Sequence, residues 1–147
     1  MEPIKFFGSK GKHAIFSNFA YTRLVIGGLT YKTAEHYFQS SKFAETDPEY
    51  AEVVRMSNTP KECKRLGCSK EHKIHPRWNT SERIKVMERV IFCKAMQNEK
   101  FRNLLLDSGD LEIIEASWDV YWGEGRNGDG ENMLGKLLVE LRKYLRR

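Results

Sequence analysis

The sequence predicts a helix-rich α+β protein, and three observations predict it. Short β-prone runs crowd the first third of the chain, apolar residues at helical spacing fill most of the rest, and capping residues stand between the segments. In order, Ile4 to Phe7 and Ala14-Ile15-Phe16 are β-prone, and Arg23 to Ile26, Gly27-Gly28 and Leu29 to Tyr31 read as a tight hairpin. Thr33 caps a helix running to about Glu45, and Asp47-Pro48 supplies an N-cap and an N1 proline for a second, stopped at Asn58 or Thr59. Thr59-Pro60-Lys61-Glu62 has capping-box spacing and opens a third helix that Gly67 can end. Ser81 begins a longer one whose Ile84, Met87, Val90, Ile91 and Ala95 share a face, and Phe101, Leu104 and Leu105 mark another before Gly109. Leu111 to Ala116 reads as a strand. The last helix, about Asn132 to Arg146, aligns Leu134, Leu137, Leu138, Leu141 and Leu145.

With 147 residues, 40% of them hydrophobic, and three Trp, six Tyr and eight Phe, the chain suits one domain over residues 1–147 with its own core. There is no internal repeat or linker. No apolar run reaches the roughly 18 residues of a membrane span, and Met1 to Lys5 lacks a signal-peptide layout, so a soluble intracellular protein is expected, cytoplasmic or nuclear. Three cysteines, Cys63, Cys68 and Cys93, form no even framework and fit free thiols. Charge is segregated beneath the net +5. Residues 60–94 carry ten Lys and Arg against four acids, 95–133 carry three against nine, and 134–147 carry five against one. The basic segments fit a polyanionic ligand, and the acidic one can supply groups for acid/base chemistry, although solvated helix faces would look the same.

Two clusters have the residue types of a reaction centre. Glu35, Gln39 and Lys42 fall on one face of the Thr33 helix, where Glu35 can serve as general acid/base and Lys42 as nucleophile or phosphate anchor. An exposed charged stripe has the same spacing. In Ser117-Trp118-Asp119-Val120-Tyr121-Trp122-Gly123 a carboxylate stands among large aromatics after a strand, either as a site acid or as an Asp bonded to nearby backbone. The next segment, Gly123-Glu124-Gly125-Arg126-Asn127-Gly128, matches G-x-G-x-x-G, but the loop continues past the third glycine and no strand with its acid follows, so a dinucleotide fold is rejected. Its glycines and the amides of the Asn132 helix remain candidates for phosphate or hydroxyl contact. Cys63, Cys68, His72 and His75 resemble zinc ligands only superficially, because three residues separate the Cys pair from the His pair where a finger needs about twelve. No metal is expected.

Phe16-Ser17-Asn18-Phe19, Tyr31 to Gln39 with Lys42, Trp78, Asp119 to Gly123, and Gly130-Glu131-Asn132-Met133-Leu134-Gly135 with Arg142 resemble the NADAR or YbiA-like family in order and spacing. Ala20 and Val139 depart from its usual pattern without removing an acid or base. The resemblance implies the YbiA-like α+β fold and an N-glycosidase that cleaves a ribose–nitrogen bond without a cofactor. It implies Glu35, Lys42 and Asp119 as catalytic residues, with Lys42 forming a Schiff base or holding hydroxyls. Asn18, Phe19, His36, Gln39, Trp78, Trp122, Gly123, Gly130 and Asn132 would bind substrate, the two Trp by stacking and Gly130 to Asn132 at phosphate. The implied substrate is ADP-ribose on guanine of nucleic acid, or else a phosphoribosylamino pyrimidine of riboflavin synthesis. A silent NAD or ADP-ribose binder is the alternative outside enzymology, and neither a membrane nor an obligate protein partner is indicated.

Overall fold

A computed structural model describes residues 1–147. The chain forms β1 (Ile4–Phe6), a 3-10 turn (Ala14–Phe16), β2 (Leu24–Ile26), β3 (Leu29–Tyr31), α1 (Ala34–Ser41), α2 (Pro48–Arg55) and α3 (Pro60–Gly67). A π-helical turn (Trp78–Glu82) leads into α4 (Arg83–Gln97), followed by α5 (Glu99–Asp107), β4 (Ile113–Glu115) and α6 (Met133–Leu145). The α+β class is as the sequence predicts. The residues divide into two compact units, one of Tyr21–Lys94 and one of Met1–Ala20 with Ala95–Arg147.

In the Tyr21–Lys94 unit, β2 and β3 pair antiparallel with Leu24 opposite Tyr31, turning on Gly27 and Gly28, both at positive φ. Helices α1, α2 and α3 each start on a side-chain cap: Thr33 accepts from His36 N–H, Asp47 from Tyr50 N–H and Thr59 from Glu62 N–H. Glu62 does not complete a capping box, because its carboxylate pairs with Arg65. Phe43, Val54 and Cys63 form a buried cluster onto which Tyr50, Ala51, Leu66 and Ile74 pack. Helix α1 ends at Ser41 and passes into turns, short of Glu45.

In the other unit β1 lies parallel to β4, Ile4 facing Ile113. Ala14 to Phe16 is not a strand. Ala14 N–H donates to Gly11 O and Phe16 N–H to His13 O, which closes a 3-10 turn, and the Phe16 ring packs on Phe6 and Phe101. The predicted strand from Leu111 shortens to three residues because β1 offers only three to pair with. Leu134, Leu138 and Leu141 bury the inner face of α6, and Arg142 is buried with them, donating to Ser108 Oγ at 2.7 Å. No helix is long and apolar enough to cross a membrane.

Candidate functional site

Helix α1 is unusual in burying its polar residues. Glu35 is 7% exposed and Gln39 3%, and Gln39 Nε2 donates to Glu35 Oε2 at 2.5 Å, so the amide fixes the carboxylate's orientation. Lys42, at the C-cap of the same helix, donates from Nζ to Gly67 O at 3.1 Å. Burial pushes the Lys42 ammonium below the usual lysine range, and the Lys64 cation adds to this. The Cys68 and Cys63 sulfurs and the Glu35 carboxylate act in the opposite sense. The stripe Glu35–Gln39–Lys42 is therefore not a solvated face. It holds an oriented carboxyl and an amine biased toward its neutral, nucleophilic form.

Gly67 is legible in the sequence only as a helix end, and α3 does end there, but without a positive φ, so the glycine is needed for another reason. A Cβ there would stand 2.0 Å from Gln39 Oε1, so glycine is required to make room for the amide that orients Glu35, while its carbonyl receives Lys42. Only the packing of α3 on α1 reveals this. Cys63 is likewise part of the support, its Sγ 3.6 Å from Glu35 O, with burial pushing its thiol up to about 12. It is a thiol that packs, not a nucleophile.

Two neighbours placed in the substrate site by resemblance are spent on the fold. His36 is 0% exposed, with Nδ1 2.8 Å from Thr33 Oγ1 and Nε2 3.0 Å from Ser57 O, and burial lowers its pKa. It has no surface to offer a ligand and instead locks the start of α1. Trp78 is 4% exposed and packs on Phe38 at a centroid distance of 5.1 Å, so its ring supports α1 from beneath and is not an open stacking platform.

In the other unit Asp119 is exposed. Its Oδ1 accepts from Tyr121 N–H at 2.8 Å and Trp122 N–H at 2.7 Å, which is the backbone-bonded arrangement, while Oδ2 makes no hydrogen bond. Trp122 is half-buried with Tyr121 edge-on against it. Asn18 is 6% exposed, and Phe19, half-buried, donates its N–H to Ser17 Oγ. Gly123 and Gly130 are packing glycines. A Cβ on the first would meet Ser117 Oγ at 2.3 Å and one on the second Gly123 O at 2.6 Å. Asn132 sits at φ 49° ahead of α6 and braces β4, accepting from Glu115 N–H and donating to Ile113 O. The phosphate contact expected of the Gly130–Asn132 amides is not available. Glu131, Asn132, Met133 and Leu134 donate their N–H groups to the carbonyls of Val120, Gly123, Tyr121 and Trp122.

The zinc-like residues are also accounted for. His72 Nδ1 lies 2.7 Å from Asp47 Oδ2 and stacks on Tyr50, His75 Nε2 lies 3.3 Å from Glu45, and no three His, Cys, Asp or Glu converge as a metal group.

The NADAR domain model matches residues 5–146. N-glycosidase YbiA of Escherichia coli (strain K12) is 36% identical over 143 residues, covering 97% of this chain and 88% of that protein. The chloroplastic riboflavin biosynthesis protein PYRR of Zea mays is 35% identical over 126 residues, which is 80% of this chain and 20% of that one. The NMR structure of E. coli YbiA superposes with a TM-score of 0.87 at 34% identity, covering 99% of this chain and 87% of that one. Helix α1 with its buried Glu35 and the Asp119–Asn132 loop lie inside the matched span, and the chain belongs to the NADAR family.

Proposed function

We propose that this chain is an N-glycosidase that breaks the bond between ribose C1′ and a base nitrogen, its substrate being ADP-ribose carried on guanine of nucleic acid. The observation that carries the reading is the pairing on α1 of a buried, amide-oriented carboxyl with an amine that burial drives toward neutrality. Relatives named N-glycosidases support the reaction class.

In the direct route water adds to C1′ and gives its proton to the Glu35 carboxylate. The C1′–N bond breaks with its electron pair going to the base, and Glu35 passes the proton on to that nitrogen. In the covalent route the neutral Lys42 amine adds to C1′ as the base leaves, its proton reaching the base through Glu35. The adduct opens to an imine, and water then releases ADP-ribose and restores the amine. Asp119, with Oδ2 uncommitted, is assigned to stabilise the oxocarbenium charge. Asn18, Phe19, Gln39 and Trp122 are the retained substrate-binding candidates.

The basic segment 60–94 supports a nucleic-acid substrate. Relatives named for riboflavin biosynthesis, from Zea mays and Vibrio vulnificus, favour a phosphoribosylamino pyrimidine as the second reading. Product analysis after separate incubation with guanine-ADP-ribosylated DNA and with the pyrimidine intermediate decides between them. Release of ADP-ribose from DNA is the expected result, and turnover of the pyrimidine alone would transfer the assignment to the metabolite.

A further inference from the structure

The two basic segments of the sequence have different fates in the structure. In and beside α6 three of the five cations are neutralised or enclosed: Lys143 pairs with Glu140 at 3.1 Å, Arg146 with Asp110 at 3.1 Å, and Arg142 is 3% exposed, which leaves Lys136 in the first turn and Arg147 past the last exposed and outside any ion pair. Between residues 61 and 77 the pattern is opposite. Arg65 pairs with Glu62, but Lys61, Lys64, Lys70, Lys73 and Arg77 are all exposed and join no ion pair. These five cations outnumber the one unpaired carboxylate of the stretch, Glu71, and repel one another, which is a standing cost that an anionic partner removes.

This stretch is also held in place beside Lys42. Gly67 O accepts from Lys42 Nζ, and His75 N–H donates to Lys42 O at 2.7 Å. Thr46 Oγ1 donates to Lys73 O, Tyr50 OH to Leu66 O at 2.6 Å, and His72 bonds Asp47. The strap carrying the cations is thus tied to the turn that follows α1, and its backbone touches Lys42 on two sides. Lys61 and Lys64, three residues apart on α3, lie on one helix face.

We propose that the surface formed by Lys61, Lys64, Lys70, Lys73 and Arg77 receives the phosphodiester backbone of a nucleic-acid strand and leads it past Lys42. The inference rests on the nucleic-acid reading given above and adds the face of the protein that holds the strand. Spaced cations on a fixed strap suit a run of phosphates, whereas a single phosphate needs only one or two of them.

The test separates binding from chemistry. Affinity of the full chain for a fluorescent, unmodified single-stranded oligonucleotide is measured against salt for wild type, for Lys61→Glu/Lys70→Glu/Lys73→Glu, for the corresponding triple Gln variant, and for Lys136→Glu/Lys143→Glu. The strap reversal is expected to weaken binding by about tenfold or more and to flatten the log–log salt slope by about two, as loss of three phosphate contacts requires. The Gln variant should lie between it and wild type, and the α6 variant should change binding less than twofold. Equal losses in the strap and α6 variants, or equal wild-type affinity for anionic lipid vesicles, would overturn the assignment. Cleavage of an ADP-ribosylated mononucleoside by wild type reports separately on the function itself. Its absence would remove the reaction, while unaltered oligonucleotide binding in the strap variants would remove the surface.

Discussion

Helix α1 and the loop from Ser117 to Gly135 both carry motif residues of the family, yet they use their polar groups in opposite ways. On α1 the carboxyl of Glu35 is buried and oriented by a side chain, Gln39, so its chemistry is set by one amide and by the space that Gly67 leaves. In the loop the polar groups hold backbone. Asp119 binds two amides, Asn132 bridges β4, and the N–H groups at the start of α6 close on the preceding carbonyls. A buried carboxyl held by another side chain keeps its acid/base chemistry, which points to function on α1, while the loop's polar groups are taken up by the backbone they hold.

The largest test of this contrast is Glu35→Gln. The side chain stays the same size, so a folded protein is expected, with turnover lower by about two to four orders of magnitude as for a lost acid/base group. Single-turnover release beside a thermal melt checks it. A folded variant with near-normal turnover would make the buried carboxyl structural and erase the distinction between the two regions.

Two glycines sharpen the comparison. A Cβ at Gly135 would meet Ile113 O at 2.0 Å, a backbone atom in a paired strand that cannot step aside, so Gly135→Ala should cost about 3 kcal/mol of stability. At Gly67 the obstacle is the Gln39 side chain, which can rotate away. Gly67→Ala should cost only about 1 kcal/mol in urea unfolding yet reduce turnover by releasing Glu35 from its amide. Equal stability losses without a difference in turnover would show that Gly67 serves packing alone.

How much of this was legible depends on whether the cause was local. The Gly27-Gly28 hairpin and the Thr33 and Asp47 caps were readable because each turns on hydrogen bonds within a few residues. Ala14 to Phe16 misled because its β-branched and aromatic content is satisfied by packing on Phe6 and Phe101, which sequence spacing does not display. The Glu35–Gln39–Lys42 stripe was visible as a face, but its burial was not. That depends on α3, reached through Gly67 and Cys63, some thirty residues on. The Gly130–Asn132 segment suggested an anion site because helix starts usually leave amides unfilled, and here the preceding loop fills them.

Titration offers a further contrast, since the strongly perturbed amines and thiol belong to the Tyr21–Lys94 unit. Lys94 is 1% exposed and burial lowers its pKa to about 7. A folded pKa below the unfolded one means that the unfolded chain binds the extra proton. Lys94's contribution is therefore fully present above pH 10.5, falls as pH drops toward 7, and is flat below. Urea unfolding should show a gain of about 2 kcal/mol from pH 7 to pH 9, and Lys94→Met should remove most of it. The buried Cys63 thiol has the opposite sign and erodes stability only as pH rises past 9 toward 12. A flat profile in wild type would mean that Lys94 keeps its charge solvated.

The smallest effect is expected at Asp119, and it separates that residue's two oxygens. Oδ1 caps the turn through Tyr121 and Trp122, so Asp119→Ala leaves two N–H groups seeking water and should cost about 1 kcal/mol in thermal or urea unfolding. Asp119→Asn retains an oxygen for both bonds and should keep nearly all of that stability, while losing the negative charge assigned to the oxocarbenium-like state. A residue that only shapes the loop would therefore show turnover following stability, with Asn close to wild type and Ala impaired. A residue that acts through charge would show Asn as slow as Ala despite its intact turn. The Asn variant is thus the informative one: normal stability with normal turnover would assign Asp119 to the backbone and leave Glu35 and Lys42 to carry the chemistry.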